Sequence, residues 1–331
     1  MKLLTDGDIP LPQWEAFIRE NKRSTPFQSP GYFNFFNSVR GMEARALAVA
    51  DDGAIRALAV VTYQKETGLK GYFSRRAIIY GGIVYDGETP HAVEILLGEI
   101  IRDTNRRSIY TEIRNLSDYG NLKTLFEKNG FKYTPYLNFR IDTTNREEMF
   151  ARISSSRQRQ IRKASRMSVT WSEASGTEEV RQFYALLRRL YRDKLHKPLP
   201  EEDFFTEFYS RNLGKFLLVR HDNSIIGGIM CPVLDDRAMY EFYICGMDEA
   251  FPELYPSVMA TWSAMEYASG NGIGLFDMMG AGRAGEHYGV RDFKARFGGG
   301  MVEYGRFIRI NRPVLYRLGE AGLLIMKKTG L

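Results

Sequence analysis

Two stretches of this chain, 170 residues apart, repeat the same strand–turn–strand pattern. Leu47–Val60 and Leu217–Met230 align without a gap, and each has a polar turn between two apolar runs. The turns, Asp51-Asp52-Gly53 and Asp222-Asn223-Ser224, have the composition of tight β-hairpin turns. A repeated hairpin constrains the fold strongly, because each copy must bury its apolar face in a sheet of its own.

The similarity continues beyond the hairpins in the same order. His91–Thr104 and Pro256–Ser269 are predicted amphipathic helices, and a strand follows each, at Ile109–Ile113 and Leu275–Met279. A Tyr-Gly pair and then a glycine before a final strand come next in both halves. We therefore predict a duplicated mixed α/β unit of about 150 residues, the size of an ordinary domain.

Length and composition agree with two globular domains. The 331 residues are 44% hydrophobic and 26% charged. We place the boundary near Asp142–Arg146, so that residues 1–145 form the first domain and 146–311 the second.

No apolar run approaches the roughly 20 residues that span a bilayer, and the N-terminus lacks the apolar stretch of a secretory signal. Cys231, Cys245 and four scattered histidines offer neither a disulfide framework nor metal-ligand spacing. We expect a cytoplasmic protein without a metal.

The segment Leu275–Gly300 is predicted to carry the chemistry. A strand reaches Gly280, a loop rich in glycine and alanine follows, and a short helix with Lys294 opens after Tyr288. A strand end that faces a helix with a fixed lysine is a common way to build a site in an α/β protein. Lys294 is the first candidate to stabilise a developing oxyanion. Asp277 at the strand end is a candidate to orient an attacking amine or the lysine, with capping of the following loop as the alternative.

The order FD-x-x-G and then YGV-x-x-FK-x-x-FGG resembles the C-terminal signature of Fem-type transferases. The resemblance implies two tandem GNAT-like acyltransferase domains of mixed α/β fold. It implies transfer of an amino acid from aminoacyl-tRNA to an amine of a peptidoglycan precursor, in interpeptide bridge formation and without a cofactor. The lysine of the FK pair acts in that reaction, and Lys294 matches it by position.

The resemblance also points to substrate-binding residues. Lys197, before a proline, matches by position a basic residue that contacts the nucleotide phosphates of the precursor, with a plain surface charge as the alternative. Gln28 belongs to an early "QS" element. FemX-like enzymes follow that element with lysines, whereas the nearest base here is Arg40, which favours a lipid-linked muropeptide over a UDP-linked one. Tyr288 and Phe293 of the C-terminal motif complete the set, with packing as the alternative for Phe293.

The donor is predicted not to be acetyl-CoA. GNAT units hold the pyrophosphate on the amides of a glycine-rich loop before a helix. The corresponding segment here, Gly246–Ser257, has no glycine after the first residue and contains Asp248, Glu249 and Glu253. Three carboxylates would repel a pyrophosphate, and two prolines remove amide donors.

A basic segment and a terminal helix suggest further contacts. Ala151–Arg166 contains six basic residues and no acid, which fits an RNA backbone or an anionic lipid surface. We predict that Arg159, Arg162, Lys163 and Arg166 bind tRNA, with a solvated helix face as the alternative. Arg312–Leu331 is a predicted amphipathic helix, either packed on the first domain or lying peripherally on the inner face of a membrane.

Two other functions fit the same residues. One is an acyl-CoA acyltransferase that acts on a cell-envelope polysaccharide. The other is an RNA- or envelope-binding module without catalysis, for which replacement of Lys294 would have no effect.

Overall fold

The chain is organised as two compact units. The computed structural model describes residues 1–65 and 75–319, and contacts divide the chain into unit 1, Met1–Pro135 with Tyr304–Leu331, and unit 2, Tyr136–Glu303. The division falls ten residues before the predicted boundary at 145/146, and it assigns residues 304–311 to the first unit instead of the second.

The first part of unit 1 contains a hairpin, two short N-terminal helices and one long helix. Its elements are β1 (Lys2–Thr5), α1 (Leu11–Glu20), α2 (Pro30–Ser38), β2 (Met42–Asp51), β3 (Ala54–Gln64), β4 (Arg76–Gly81), β5 (Val84–Tyr85), α3 (Pro90–Arg107), β6 (Tyr110–Asn115), α4 (Lys123–Lys128) and β7 (Lys132–Thr134).

Unit 2 repeats this order with two additional helices before its first hairpin. Its elements are β8 (Tyr136–Asp142), α5 (Arg146–Arg152), α6 (Ser155–Arg166), β9 (Thr170–Glu173), α7 (Thr177–Leu190), a π-helical turn (Tyr191–Leu195), α8 (Glu202–Ser210), β10 (Gly214–His221), β11 (Ser224–Leu234), β12 (Ala238–Tyr240), β13 (Tyr243–Gly246), α9 (Pro256–Gly270), β14 (Leu275–Arg283), α10 (Gly289–Ala295) and β15 (Gly300–Glu303). The chain then returns to unit 1 as β16 (Arg306–Ile310).

The two sheets have the same strand order. Unit 1 runs β1-β2-β3-β4-β6-β16-β7 with β5 paired to β3, and unit 2 runs β9-β10-β11-β12-β14-β8-β15 with β13 paired to β11. The pairs β4–β6 and β12–β14 are parallel, and the other neighbours are antiparallel. Both units are therefore mixed α/β, as the repeat predicted.

The repeats exchange one strand. β8 and β16 begin 170 residues apart and occupy equivalent positions, but β8 pairs with β14 and β15 of unit 2, and β16 pairs with β6 and β7 of unit 1. β8 is the last strand of the first repeat but lies in the sheet of unit 2, and β16 is the last strand of the second repeat but lies in the sheet of unit 1. This exchange explains why the observed boundary differs from the predicted one.

Both predicted hairpin turns are confirmed. Two residues connect β2 to β3 and two connect β10 to β11, and all four have positive φ, at Asp52 (49°), Gly53 (78°), Asp222 (47°) and Asn223 (61°). Two consecutive residues with positive φ give the turn whose twist matches that of the flanking strands.

Helices cover both faces of the sheet of unit 2. Leu217 and Val219 of β10 belong to the core that Ile161 of α6 and Met265 of α9 complete. The alternate residue, Phe216, contacts Phe183 of α7 and Phe208 of α8 instead. Since neighbouring strand residues point to opposite faces, α6 and α9 lie on one face and α7 and α8 on the other.

The described part of the C-terminal helix contacts unit 1. Residues 313–319 are helical, and the ring of Tyr316 lies 5.8 Å from that of Tyr110. The remainder of the helix predicted over Arg312–Leu331, from residue 320, lies outside the described residues. Within residues 1–65 and 75–319, no helix is long and apolar enough to cross a bilayer.

Candidate active site in unit 2

Two neighbouring strands of unit 2 separate in the middle of the sheet. β12 and β14 pair at Met239 with Phe276 and at Tyr240 with Asp277, and the amide of Glu241 then donates to the carbonyl of Asp277 over 2.9 Å. Beyond this point β13 pairs with β11, and β14 pairs with β8. The separation leaves an opening in the strand pairing, and the side chains beside it, Glu241 and Asp277, are buried.

Lys294 enters this opening from α10. It is 5% exposed, and its Nζ forms an ion pair with Glu241 Oε1 at 2.8 Å. The same Nζ donates to the carbonyl of Gly280 over 3.2 Å and to that of Met278. An ammonium group has three donors, so all three are engaged. The predicted fixed lysine is therefore held by carbonyls within β14, which continues to Arg283, and by a buried carboxylate.

Asp277 is a buried carboxyl group at the same position. Its Oδ1 accepts hydrogen bonds from the amide of Met279 over 2.7 Å and from Asn138 Nδ2 over 3.4 Å. Burial raises the pKa of Asp277 to about 6, although the Met279 amide and the charges of Arg140 and Lys294 oppose the shift. A carboxyl with such a pKa can accept or release a proton near neutral pH.

Two carboxylate oxygens at this opening are buried. Among the described residues, neither Asp277 Oδ2 nor Glu241 Oε2 has a hydrogen-bond partner, although both atoms are buried. Buried polar atoms are normally paired. The cluster therefore offers acceptors for an amine or a proton, and within the described residues no group of side chains has the arrangement of a metal site.

The other motif residues, Tyr288 and Phe293, make packing contacts. The centres of the Phe293 and Phe297 rings lie 5.3 Å apart. The guanidinium of Arg157 lies 4.5 Å from the centre of the Phe293 ring. Tyr288 precedes α10 and packs on Gly282, where a Cβ atom would come within 2.7 Å of the ring. The contacts of Phe293 are those of a packing residue, and substrate contact by Tyr288 or Phe293 stays a prediction.

Lys197 follows an irregular turn beside β13. Tyr191 begins the π-helical turn, its ring lies 6.3 Å from that of Tyr243, and Lys194 forms an ion pair with Glu249 at 2.7 Å. His196 then adopts a left-handed conformation, and Lys197 is exposed. Single π-helical turns are frequent at functional sites, and phosphate binding by Lys197 stays a prediction.

A carboxylate occupies the start of α9, the position at which GNAT units bind pyrophosphate. Asp248 Oδ1 accepts a hydrogen bond from the amide of Ser257 over 3.1 Å, and Oδ2 accepts one from the hydroxyl of the same residue. A helix N-terminus attracts negative charge, and here the chain supplies that charge itself.

The four predicted tRNA-binding residues line one groove. Arg159, Arg162, Lys163 and Arg166 project from α6 into a groove of about 920 Å³. Its other lining residues include Arg146, Phe150, Tyr255, Trp262 and Glu266.

Comparison with known proteins identifies the fold. Residues 152–294 match the family described as acetyltransferase (GNAT) domain. The crystal structure of FemX superposes with a TM-score of 0.74 over 96% of this chain and 99% of that chain, at 16% identity. No curated protein is significantly similar to the sequence.

The chain has the Fem-type tandem GNAT fold. Two further structures share it. A tandem GNAT protein from the clavulanic acid biosynthesis pathway superposes with a TM-score of 0.58 over 94% of this chain and 99% of that chain, at 9% identity. The C-terminal domain of a protein described as a lysylphosphatidylglycerol synthetase, from Agrobacterium fabrum, gives 0.59 over 96% and 95%, at 11% identity. The predicted Fem-type resemblance and the tandem GNAT-like fold are thereby confirmed.

Unit 1 has a different carboxylate at the position equivalent to Asp277. Glu112 forms ion pairs with Arg114 at 2.8 Å and Arg306 at 2.7 Å. Burial alone would raise the pKa of Glu112, but the two guanidiniums outweigh burial and lower it to about 2. Glu112 therefore stays ionised, as in a structural ion pair, whereas Asp277 can exchange a proton.

The candidate residues of unit 1 differ in exposure. Gln28 is fully buried, its Oε1 accepts from the amide of Thr25 over 2.9 Å, and its Nε2 donates to the carbonyls of Tyr80 and Gly82. The fold of unit 1 thus accounts for Gln28. Arg40 is exposed before β2. Substrate binding by either residue stays a prediction.

The sequence did not predict three features of the site: the ion pair of Glu241 with Lys294, the hydrogen bond of Asn138 to Asp277, and the capping of α9 by Asp248. Glu241 is the only acidic residue in the otherwise apolar segment Ala238–Cys245. An acid inside such an apolar run is a signal for a buried functional group, but its pairing with Lys294 depends on the tertiary fold.

Proposed function

We propose that this protein is an aminoacyltransferase of the cell envelope, which moves an amino acid from aminoacyl-tRNA to an amine of a peptidoglycan precursor. The observation that carries the proposal is the buried cluster of Lys294, Glu241 and Asp277 where β12 and β14 separate. The Fem-type fold supports it, as does the match of unit 2 to an acetyltransferase domain.

The proposed reaction needs few protein groups. The acceptor amine attacks the ester carbonyl, an amide C–N bond forms, the C–O bond to the terminal ribose breaks, and the released hydroxyl takes a proton. An aminoacyl ester is already reactive, so catalysis consists mainly of positioning and of stabilising the oxyanion.

Asp277 and Lys294 have separate proposed roles. Asp277 takes the proton of the attacking amine, since its pKa of about 6 leaves it mostly ionised at neutral pH. Lys294 stabilises the oxyanion after exchanging its longest contact, the 3.2 Å hydrogen bond to Gly280, for the substrate oxygen. Glu241 keeps the ammonium at the opening during this exchange.

Asp248 supports tRNA over CoA as the donor. Its carboxylate binds the Ser257 amide at the start of α9, where a pyrophosphate would need free amides. A bound CoA would have to displace a negative charge that the chain provides. The acyl-CoA acyltransferase remains the alternative that the donor experiment tests.

The proposed acceptor is a lipid-linked or UDP-linked muropeptide, and Lys197 is the candidate for its phosphates. A lipid-linked acceptor implies peripheral contact with the membrane surface.

A transfer assay tests the proposal. Wild type, Lys294→Ala and the exposed-lysine control Lys128→Ala are incubated with tRNA charged with labelled amino acids and with both muropeptides. We expect a mass gain of one amino acid with wild type and control, and its loss with Lys294→Ala. A thermal melt of each variant separates lost folding from lost chemistry. No gain with intact charged tRNA would contradict the proposal, and acyl transfer from acyl-CoA in a parallel incubation would establish the alternative.

A further inference from the structure

The groove beside α6 has an excess of positive charge. Five cations line it, Arg146, Arg159, Arg162, Lys163 and Arg166, against the single carboxylate of Glu266. Arg146 forms an ion pair with Glu266, and Lys163 forms one with Glu253.

Three guanidiniums of the groove have no acidic partner among the described residues. Arg162 donates to the neutral Gln158 over 3.4 Å, and Arg159 and Arg166 have no ion pair or side-chain hydrogen bond within residues 1–65 and 75–319. All three are exposed. Their spacing of three and four residues places them on one helix face, in a row about 10 Å long.

The aromatic residues of the groove hold cations. Arg146 lies 5.5 Å from the centre of the Trp262 ring, and Arg162 lies 5.1 Å from that of Phe150. Lys163 lies 5.8 Å from the ring of Tyr255. Cation–π contacts fix the position of charged side chains. The ring faces that these three cations cover are therefore occupied, and the groove presents charged side chains in place of a stacking platform for bases.

A membrane surface fits this face less well. A helix that lies in a membrane interface needs large apolar side chains on its inserted face. On α6 the buried positions are Arg157, Ile161 and Ala164, and the exposed ones are polar or basic. Trp262 is only 4% exposed and cannot insert into lipid.

We infer that this groove binds the sugar-phosphate backbone of an RNA strand, without reading its bases. The inference deepens the proposed function, because the groove would then hold the tRNA that carries the amino acid. The phosphates lie along Arg159, Arg162 and Arg166, and the ring-bound cations Arg146 and Lys163 flank them.

Salt dependence tests the inference. Binding of uncharged, fluorescently labelled tRNA is measured by anisotropy between 50 and 200 mM salt for wild type and Arg159→Gln/Arg166→Gln. Each phosphate contact contributes about 0.7 to the log–log slope for a single strand and about 0.9 for a duplex. Loss of two contacts should flatten the slope by about 1.4–1.8, so that wild type loses roughly tenfold more affinity than the variant over this range.

A matched variant controls for net charge. Arg188→Gln/Arg189→Gln removes the same charge from α7, which lies on the opposite face of the sheet of unit 2, and should leave the slope unchanged. An equal flattening in both variants, or no flattening in either, would overturn the inference. Binding to vesicles of anionic phospholipid that the Arg159→Gln/Arg166→Gln change abolishes, with tRNA binding unchanged, would assign the groove to a membrane.

The experiment is independent of transfer. If tRNA binding is salt-dependent and needs Arg159 and Arg166, but the protein transfers nothing, the groove remains an RNA-binding site and the proposed reaction is rejected. If wild type transfers an amino acid but the salt slope of tRNA binding is unchanged in the variant, the proposed reaction stands and RNA binding in the groove is rejected.

Discussion

The ion pair between Lys294 and Glu241 allows the structural and chemical roles of the lysine to be separated. Both side chains are 6% exposed, with 2.8 Å between Nζ and Oε1. Removing one partner of a buried pair leaves an uncompensated charge and costs about 3–5 kcal/mol of unfolding free energy. We therefore expect a loss of that size in Lys294→Met and a similar loss in Glu241→Gln.

The double variant should recover part of this loss. With neither charge present, its cost should fall short of the combined cost of the single variants by about 2 kcal/mol or more, a coupling expected for residues in contact. Unfolding in urea, followed by fluorescence, gives the three free energies. The partly exposed pair Lys215–Glu173, with a 2.9 Å contact, is the control, and its coupling should be about 0–1 kcal/mol.

Transfer activity then decides the chemical role. If Lys294 contacts the reacting ester, the double variant should regain stability but not activity. Activity that returns together with stability would refute a catalytic Lys294, and a coupling no larger than that of Lys215–Glu173 would refute the buried ion pair.

Three further predictions follow from single residues. Since burial raises the pKa of Asp277 from 3.8 to about 6, folding favours its neutral form, and the ionised form costs the folded state about 3 kcal/mol above that pKa. Asp277→Asn should therefore gain up to this amount over wild type between pH 4 and 7 in urea unfolding, and a constant difference would contradict the shift. Asp248→Ala removes the cap of α9 and should cost about 1 kcal/mol, while an unchanged melting temperature would argue against the cap. Phe307 of β16 is 1% exposed and stacks on Phe126 at 4.4 Å. Phe307→Ala should cost about 3–5 kcal/mol, whereas Met301→Ala, at 57% exposure, should cost little.

Local patterns predicted the repeated parts of the fold. Both hairpin turns lie where Asp-Gly and Asp-Asn place them, because positive φ at the turn depends on the turn residues themselves. The predicted helix over Pro256–Ser269 differs from α9 by one residue at its end. The boundary was displaced because Tyr136–Asp142 has strand character in either unit, and only tertiary pairing assigns it to β14 and β15.

The sequence predicted only part of the candidate site, because the other part depends on tertiary contacts. A lysine on a short helix after a glycine-rich loop indicated Lys294 as a fixed cation. Its partner Glu241 lies at the separation of β12 from β14, which becomes visible only when both neighbours of each strand are known. The basic residues of α6 were evident from composition, but the groove needs Trp262 and Tyr255, about 100 residues further along the chain.

The exchanged strand has a consequence for synthesis on the ribosome. The place between β6 and β7 is filled by residues 306–310, about 170 residues after β7. At 5–20 residues per second, translation takes roughly 10–35 s to supply them. During that interval the nascent first unit has an unpaired edge on β6 and leaves Phe126 uncovered. A ribosome that stalls or terminates early would therefore release a first unit that is aggregation-prone, even though every residue before β8 has been made.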